Sequence, residues 1–290
     1  SRMNVITQTL LPTFLIIAVG YFIGKKKKVN LEPFTDLIIY ITGPALILFS
    51  IAKSTLDLNN AAKISLSSLL VILGMGTITF ILLKLTKSKK RGLYLPITVG
   101  NTGFLGFPIA LFAFGNEGLA RAIVYDITNA ILIFTVGIYL ISKHSDIKEA
   151  FKLPLIYAAV LGIILNINKI PIPKTLATPL EMIGLTTIPL ALMILGYNLT
   201  KIKITSFKTT VGASLLRILG GFTFAFIITS LLGLEGIDRG IVLILAAQPS
   251  AMMSMILCQK YHQDAELAAS IVFVSTLISI ISIPIILSIA

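Results

Sequence analysis

The chain has 290 residues, of which 56% are hydrophobic and only 12% charged, with a mean hydropathy of +0.97. A soluble domain of this length carries about 25% charge, so the polar residues are too few to cover a water-facing globule and lipid must be the solvent for much of the surface. The net charge of +12 does not point to nucleic acid, because the basic residues stand in short clusters between long apolar runs, as in cytoplasmic loops that bias membrane orientation.

Apolar runs long enough to cross a bilayer fall near 5–24, 33–53, 62–85, 92–115, 117–142, 153–168, 174–199, 207–233, 239–260 and 265–289. The first lacks the small-residue cleavage site of a signal peptide and reads as a mature helix. The expected fold class is an all-α integral membrane protein of ten transmembrane helices. Ten spans make the loops alternate sides. Sixteen of the 24 Lys and Arg then lie with Lys25–Lys28, in loops near 84–91, 143–152, 201–208 and 260, and six lie opposite. That bias makes the Lys25–Lys28 side cytoplasmic and puts both termini outside. The lone Cys258 excludes an internal disulfide.

Two halves resemble each other, 1–142 and 153–290, joined by a cytoplasmic linker at 143–152. Leu11-Pro12 with Gly20 matches Leu153-Pro154 with Gly162, and Thr42-Gly43-Pro44 matches Thr187-Ile188-Pro189. Ile72-Leu73-Gly74 matches Ile218-Leu219-Gly220, and Arg91-Gly92 matches Arg239-Gly240. Each unit has five spans, an odd number, so the second is expected upside down relative to the first. Inverted five-helix repeats are a transporter architecture with a midplane site at discontinuous helices.

The fourth span reads Gly100-Asn101-Thr102-Gly103-Phe104-Leu105-Gly106-Phe107-Pro108, poor material for a continuous helix. Its repeat mate, the ninth, reads Ala246-Ala247-Gln248-Pro249-Ser250-Ala251. At about 1.5 Å of rise per residue, Asn101 and Pro249 both lie about 14–15 Å deep, near the midplane. Half-helix N-termini exposed at such breaks favour an anionic group. Asp126 and Arg217 reach similar depth. Arg217 is expected to shape the field for an anion. Asp126 has two readings, proton coupling or a helix-packing network with Asn129 one turn away. Pro44, Pro189 and Pro284 read as kinks.

These residues resemble the auxin efflux carrier family, plant PIN-formed carriers and their prokaryotic relatives, over essentially the whole chain. The specific parts are Asn101 through Pro108, Asp126-x-x-Asn129, Arg217 before the glycines of the eighth span, Ala247-Gln248-Pro249-Ser250 and Asp264-Ala265-Glu266-Leu267-Ala268. The resemblance implies that the fourth and ninth helices are broken, cross each other and build the substrate site. It also implies an elevator-type carrier, with a transport domain of spans 3–5 and 8–10 moving against a scaffold of spans 1, 2, 6 and 7 that forms a homodimer. In that picture Asn101 contacts a substrate carboxylate, and Thr102, Gly103, Phe104, Gln248, Pro249, Ser250 and Arg217 complete the site. Gly106, Pro108 and Pro249 mark the helix breaks, and Asp126 and Asn129 are candidates for coupling. The expected partners are a small organic anion and membrane lipid, at the cell membrane, with no cofactor, metal or nucleic acid. Unlike plant members, the third span has no acidic residue between Ile64 and Leu83, and no long loop joins the halves.

The alternative reading is a sodium-coupled symporter of the bile-acid type, with Asn101, Thr102 and Gln248 as hard oxygen ligands. No carboxylate stands beside Gln248, since Glu266 lies beyond the end of that helix. Nothing suggests the charged ring of a channel. His144 and His262 both fall at the cytoplasmic side, and no nucleophile elbow, metal-binding helix motif or phosphate loop supports an enzyme.

Overall fold

The apolar runs become helices because a backbone inside lipid has no water to satisfy its amides and carbonyls. The computed structural model describes residues 2–88, 90–142 and 151–290, and these are helical apart from loops and one isolated pair of extended residues. The helices, in chain order, are α1 (Arg2–Lys26), α2 (Glu32–Lys53), α3 (Leu58–Leu85), the short α4 (Tyr94–Thr98) and α5 (Thr102–Ser142). They continue with α6 (Pro154–Ile167), α7 (Lys174–Leu199), α8 (Phe207–Leu231), α9 (Gly236–Ala246), α10 (Met252–Lys260) and α11 (Ala265–Ile289). Among the described residues, six stretches are long and apolar enough to cross a membrane: α2, α3, α5, α7, α8 and α11. The chain is an integral membrane protein. Most of the linker expected at 143–152, including His144, lies outside the described residues.

Local chemistry sets several boundaries. The apolar run expected from residue 62 starts as a helix at Leu58, because the Asp57 carboxylate accepts the Asn60 amide at 3.0 Å and caps the first turn. Asp264 caps α11 in the same way, accepting from Leu267 at 3.0 Å. Within α5 the chain turns sharply at Gly115, whose φ of 64° and ψ of −158° favour glycine. The early part of α5 therefore ends where the fourth expected run ends. Wide π-type turns interrupt α2 at Ile38–Thr42, α5 at Thr102–Gly106 and Ile133–Gly137, and α8 at Leu216–Gly220.

Packing relies on small residues, since lipid tails supply no hydrophobic drive between apolar helices. α1 lies along Thr187–Leu199 of α7, with Gly20 against the Met193 carbonyl and Gly196 against the Ile17 carbonyl. α2 packs on α6 and on the first part of α7: a Cβ at Gly162 would stand 3.0 Å from Ile51 Cβ, and one at Gly184 would stand 2.7 Å from Leu46 Cα. Asn166 of α6 donates to the carbonyls of Ile51 (3.0 Å) and Ser54 (2.7 Å), satisfying the end of α2.

The remaining helices surround α9, in which every residue from Gly240 to Ala246 is buried. A helix apolar all round belongs in a core. α3 packs on α5 and α8, α8 on α9, and the first turns of α8 and all of α10 on α11. Buried hydroxyls among them bond back to their own helices, as Thr79 does to Met75 (2.7 Å), Ser214 to Thr210 (2.7 Å) and Thr229 to Ala225 (2.7 Å). Large apolar side chains including Phe22, Phe80, Leu85, Tyr157, Met182 and Leu231 face outward, as a lipid-solvated surface requires.

Candidate functional site

Two interruptions meet near the middle of the α9-centred group. The first runs from Val99 to Asn101, between α4 and α5, and the second from Ala247 to Ala251, between α9 and α10. Gly100 lies opposite Ser250 in an antiparallel pair. The Asn101 amide donates to the Pro249 carbonyl at 2.8 Å, and the Ala251 amide donates to the Val99 carbonyl at 3.0 Å. The absent side chain of Gly100 permits the crossing, since a Cβ there would lie 3.4 Å from both Gln248 Cβ and the Leu245 carbonyl oxygen. Ser275 of α11 accepts the Ser250 amide at 3.0 Å. The unwound backbone thus finds partners inside the protein, the condition under which non-helical chain is tolerated at membrane depth.

The interruptions split the sites of opposite helix polarity. α4 and α9 end at the crossing, presenting carbonyls and negative partial charge, while α5 and α10 begin there with amides and positive partial charge. Arg217, on the wide turn of α8 and 1% exposed, serves the carbonyl ends. Its Nη1 donates to Thr98 at 2.6 Å and Ile97 at 3.2 Å, and its Nη2 donates to Ala246. Two helix C-termini, each worth about half a negative charge, together offset one guanidinium. Arg217 was expected among the substrate-binding residues. Its guanidinium is instead committed to three backbone carbonyls, because two helix ends point at it from opposite halves.

At the amide ends, Asp126 reaches back from the later part of α5. Its Oδ1 accepts the Thr102 hydroxyl, and Asn129 Nδ2 donates to the same Thr102 oxygen at 2.7 Å. A Cβ at Gly103 would lie 3.6 Å from Asp126 Oδ2. Gln248 donates its Nε2 to the Ile244 carbonyl at 3.1 Å. Several buried polar atoms at the crossing have no hydrogen-bond partner: Asn101 Nδ2, Gln248 Oε1, Ser250 Oγ and Thr98 Oγ1. Asn101 is 3% exposed, and Gln248 and Ser250 are fully buried. Unpaired groups of this kind each cost about 1–3 kcal/mol, so their concentration in one place calls for a ligand.

The crossing gathers Asn101, Thr102, Gly103, Gln248, Pro249 and Ser250, with Asp126 and Asn129 beside them. Phe104 points elsewhere and packs against Ile38 and Ile194, on α2 and α7. Gly106 and Pro108 are corrected as helix-break markers, because α5 is already helical from Thr102. The wide turn before Pro108 removes the carbonyl its ring would otherwise strike, and Gly106 makes room for Leu245, whose Cδ2 would be 2.5 Å from a Cβ. Thr98 and Ser275 were missed. Thr98 holds the position equivalent to Ala246 in the repeat, a signal that could have found it; Ser275 had none.

A second polar group lies at the far end of α9. Arg121 of α5 bonds Glu117 at 2.6 Å and Asp238 of α9, and Glu117 accepts the Thr55 amide at 3.0 Å. A cavity of about 220 Å³ adjoins it, lined by Ser50, Lys53, Asn116, Glu117 and Glu181 among others. Among the described residues no group of three or more His, Cys, Asp or Glu converges as metal ligands.

A family described as membrane transport protein matches residues 5–149 and 141–287. Curated relatives are similar over nearly the full length. An uncharacterized transporter of Methanocaldococcus jannaschii, MJ1031, is 32% identical over 94% of this chain and 95% of its own. One of Methanothermobacter thermautotrophicus is 29% identical over 96% of both. The uncharacterized transporter YfdV of Escherichia coli is 28% identical over 67% of this chain and 68% of its own. The chain therefore belongs to the membrane transport protein family, that of the auxin efflux carriers, as a multi-pass membrane transporter.

Proposed function

We propose that the protein is a secondary carrier of a small organic anion, working by alternating access of the elevator type at the cell membrane. The observation that carries this reading is the crossing itself. Two helix N-termini meet beside buried, partnerless polar atoms of Asn101, Gln248 and Ser250, a combination suited to a carboxylate. Asn101 Nδ2 and the first amides of α5 and α10 would donate to it, and Gln248 Oε1 would accept from the rest of the cargo. Asp126 and Asn129 are the coupling candidates, as the ionisable group and its hydrogen-bonded neighbour nearest the crossing.

The ten-span, inverted-repeat architecture is part of the proposal. α1 packs on α7 while α2 packs on α6, contacts that exchange when the two halves exchange. So do the contacts of α3 with α5 and of α8 with α11. Gly74 abuts Phe224 and its repeat mate Gly220 abuts Met75. In this reading α1, α2, α6 and α7 form a dimeric scaffold, and α3–α5 with α8–α11 form the moving part. Phe104, packed on α2 and α7, would be a sliding contact between them. Both termini lie outside. The sodium-coupled bile-acid alternative gains no support from the family match or from the curated relatives.

The test is uptake of labelled carboxylates into proteoliposomes, with and without imposed proton and sodium gradients. Asn101→Ala should abolish uptake while leaving denaturant stability within about 1 kcal/mol of wild type, since the lost Nδ2 has no protein partner to strand. Uptake unchanged by Asn101→Ala would remove the crossing as the site. Gradient dependence separates proton coupling, sodium coupling and facilitated passage.

A further inference from the structure

We infer that Asp126 is a charge filter that limits the cargo to one negative charge, a monocarboxylate bearing a hydroxyl or N–H donor. The inference rests on the anion-carrier reading and deepens it. The two helix N-termini at the crossing are not equivalent. That of α10 opens at Ala251 with Ser250 and Gln248 ahead of it. That of α5 already faces a resident carboxylate, because Asp126 accepts the Thr102 hydroxyl and lies beside Gly103.

The hydrogen-bond direction is set by the neighbours. Thr102 Oγ1 takes a hydrogen from Asn129 Nδ2 at 2.7 Å, so its own single hydrogen goes to Asp126. Asp126 therefore sits as an acceptor, the role of a carboxylate. The buried cation nearby, Arg217, is spent on carbonyls at the opposite helix ends. Two N-termini of about +0.5 each are matched by one resident carboxylate. A cargo carboxylate then finds neutral donors and the α10 N-terminus. A second cargo carboxylate meets only Asp126, with no cation left to offset it. The unpaired Gln248 Oε1, fully buried, can only accept, and so selects a cargo with a donor.

The experiment is exchange uptake into proteoliposomes at pH 7.5 without imposed gradients. It compares C2–C6 monocarboxylates with the dicarboxylates of equal length, together with succinate against its monomethyl ester. Wild type should favour the singly charged member of each pair by on the order of 100-fold, the effect of a like charge roughly 6 Å away at an effective dielectric of about 20. Asp126→Asn, which keeps an acceptor for Thr102, should bring that ratio below about fivefold, and Asp126→Glu should preserve it. Wild-type uptake of dicarboxylates equal to or better than their partners overturns the filter and leaves the carrier reading intact. So does a ratio that Asp126→Asn does not change. Uptake of no acid by folded protein overturns both. The wild-type ratio needs no variant, so a misfolded Asp126→Asn protein does not rescue the inference.

Discussion

Replacing Arg217 separates two roles that its depth in the chain leaves open. Arg217→Met keeps the length and apolar stem but removes three donors to the carbonyls of Ile97, Thr98 and Ala246. A hydrogen bond involving a charged group is worth about 1.5–3 kcal/mol net, so three sum to about 4.5–9 kcal/mol. That sum is an upper bound, because the three share one guanidinium and are not additive. We expect a loss of about 4 kcal/mol. Arg217→Lys should lose about half as much, since one ammonium reaches fewer of the carbonyls and lacks the planar fork. Denaturant unfolding in detergent measures stability, and proteoliposome uptake measures KM and maximal rate on the same preparations. If Arg217 ties the two C-termini together, Arg217→Lys lowers stability and maximal rate with little change in KM. A variant as stable as wild type but with KM raised tenfold or more would refute the capping role and return Arg217 to the substrate.

Gly196→Ala places a Cβ on the Ile17 carbonyl and 2.9 Å from the Tyr21 amide nitrogen. Backbone cannot swing aside as a side chain does, so a loss of about 3 kcal/mol is expected; unfolding midpoints unchanged by the substitution would mean that α1 and α7 do not pack this closely. Arg121→Met leaves the Glu117 and Asp238 carboxylates without their shared partner. Both are partly exposed to solvent, which limits the cost to about 2 kcal/mol, and restoring neutrality with Asp238→Asn in the same chain should recover part of it. A double-mutant cycle with no coupling between the two positions would dismiss this tie between α5 and α9.

Hydropathy located the long helices because twenty consecutive apolar side chains have one physical use in so short a chain. The glycines and prolines around Asn101 and Pro249 announced interruptions for a similar reason, since backbone propensity is local. The same local rule misled at Pro108. A proline excludes an ordinary helical bond, but the wide turn at Thr102–Gly106 accommodates it, and the true interruption begins at Val99. Asn101, Gln248 and Ser250 were legible as polar residues placed where polarity is costly. Their lack of partners was not legible, because it depends on what every neighbouring helix brings to the spot. Arg217 makes the point most clearly. Sequence shows a buried cation without an acid nearby, and the neutralising groups are carbonyls at residues 97, 98 and 246, which carry no side-chain signature. Asp126 likewise reads as a charge in search of a partner until Gly115 turns α5 back and brings it to Thr102. What the sequence determined by itself is where the chain enters lipid and where it cannot stay helical. What only the tertiary structure decided is which helix ends face each other, because partial charges at helix termini act through space and take their sign from direction.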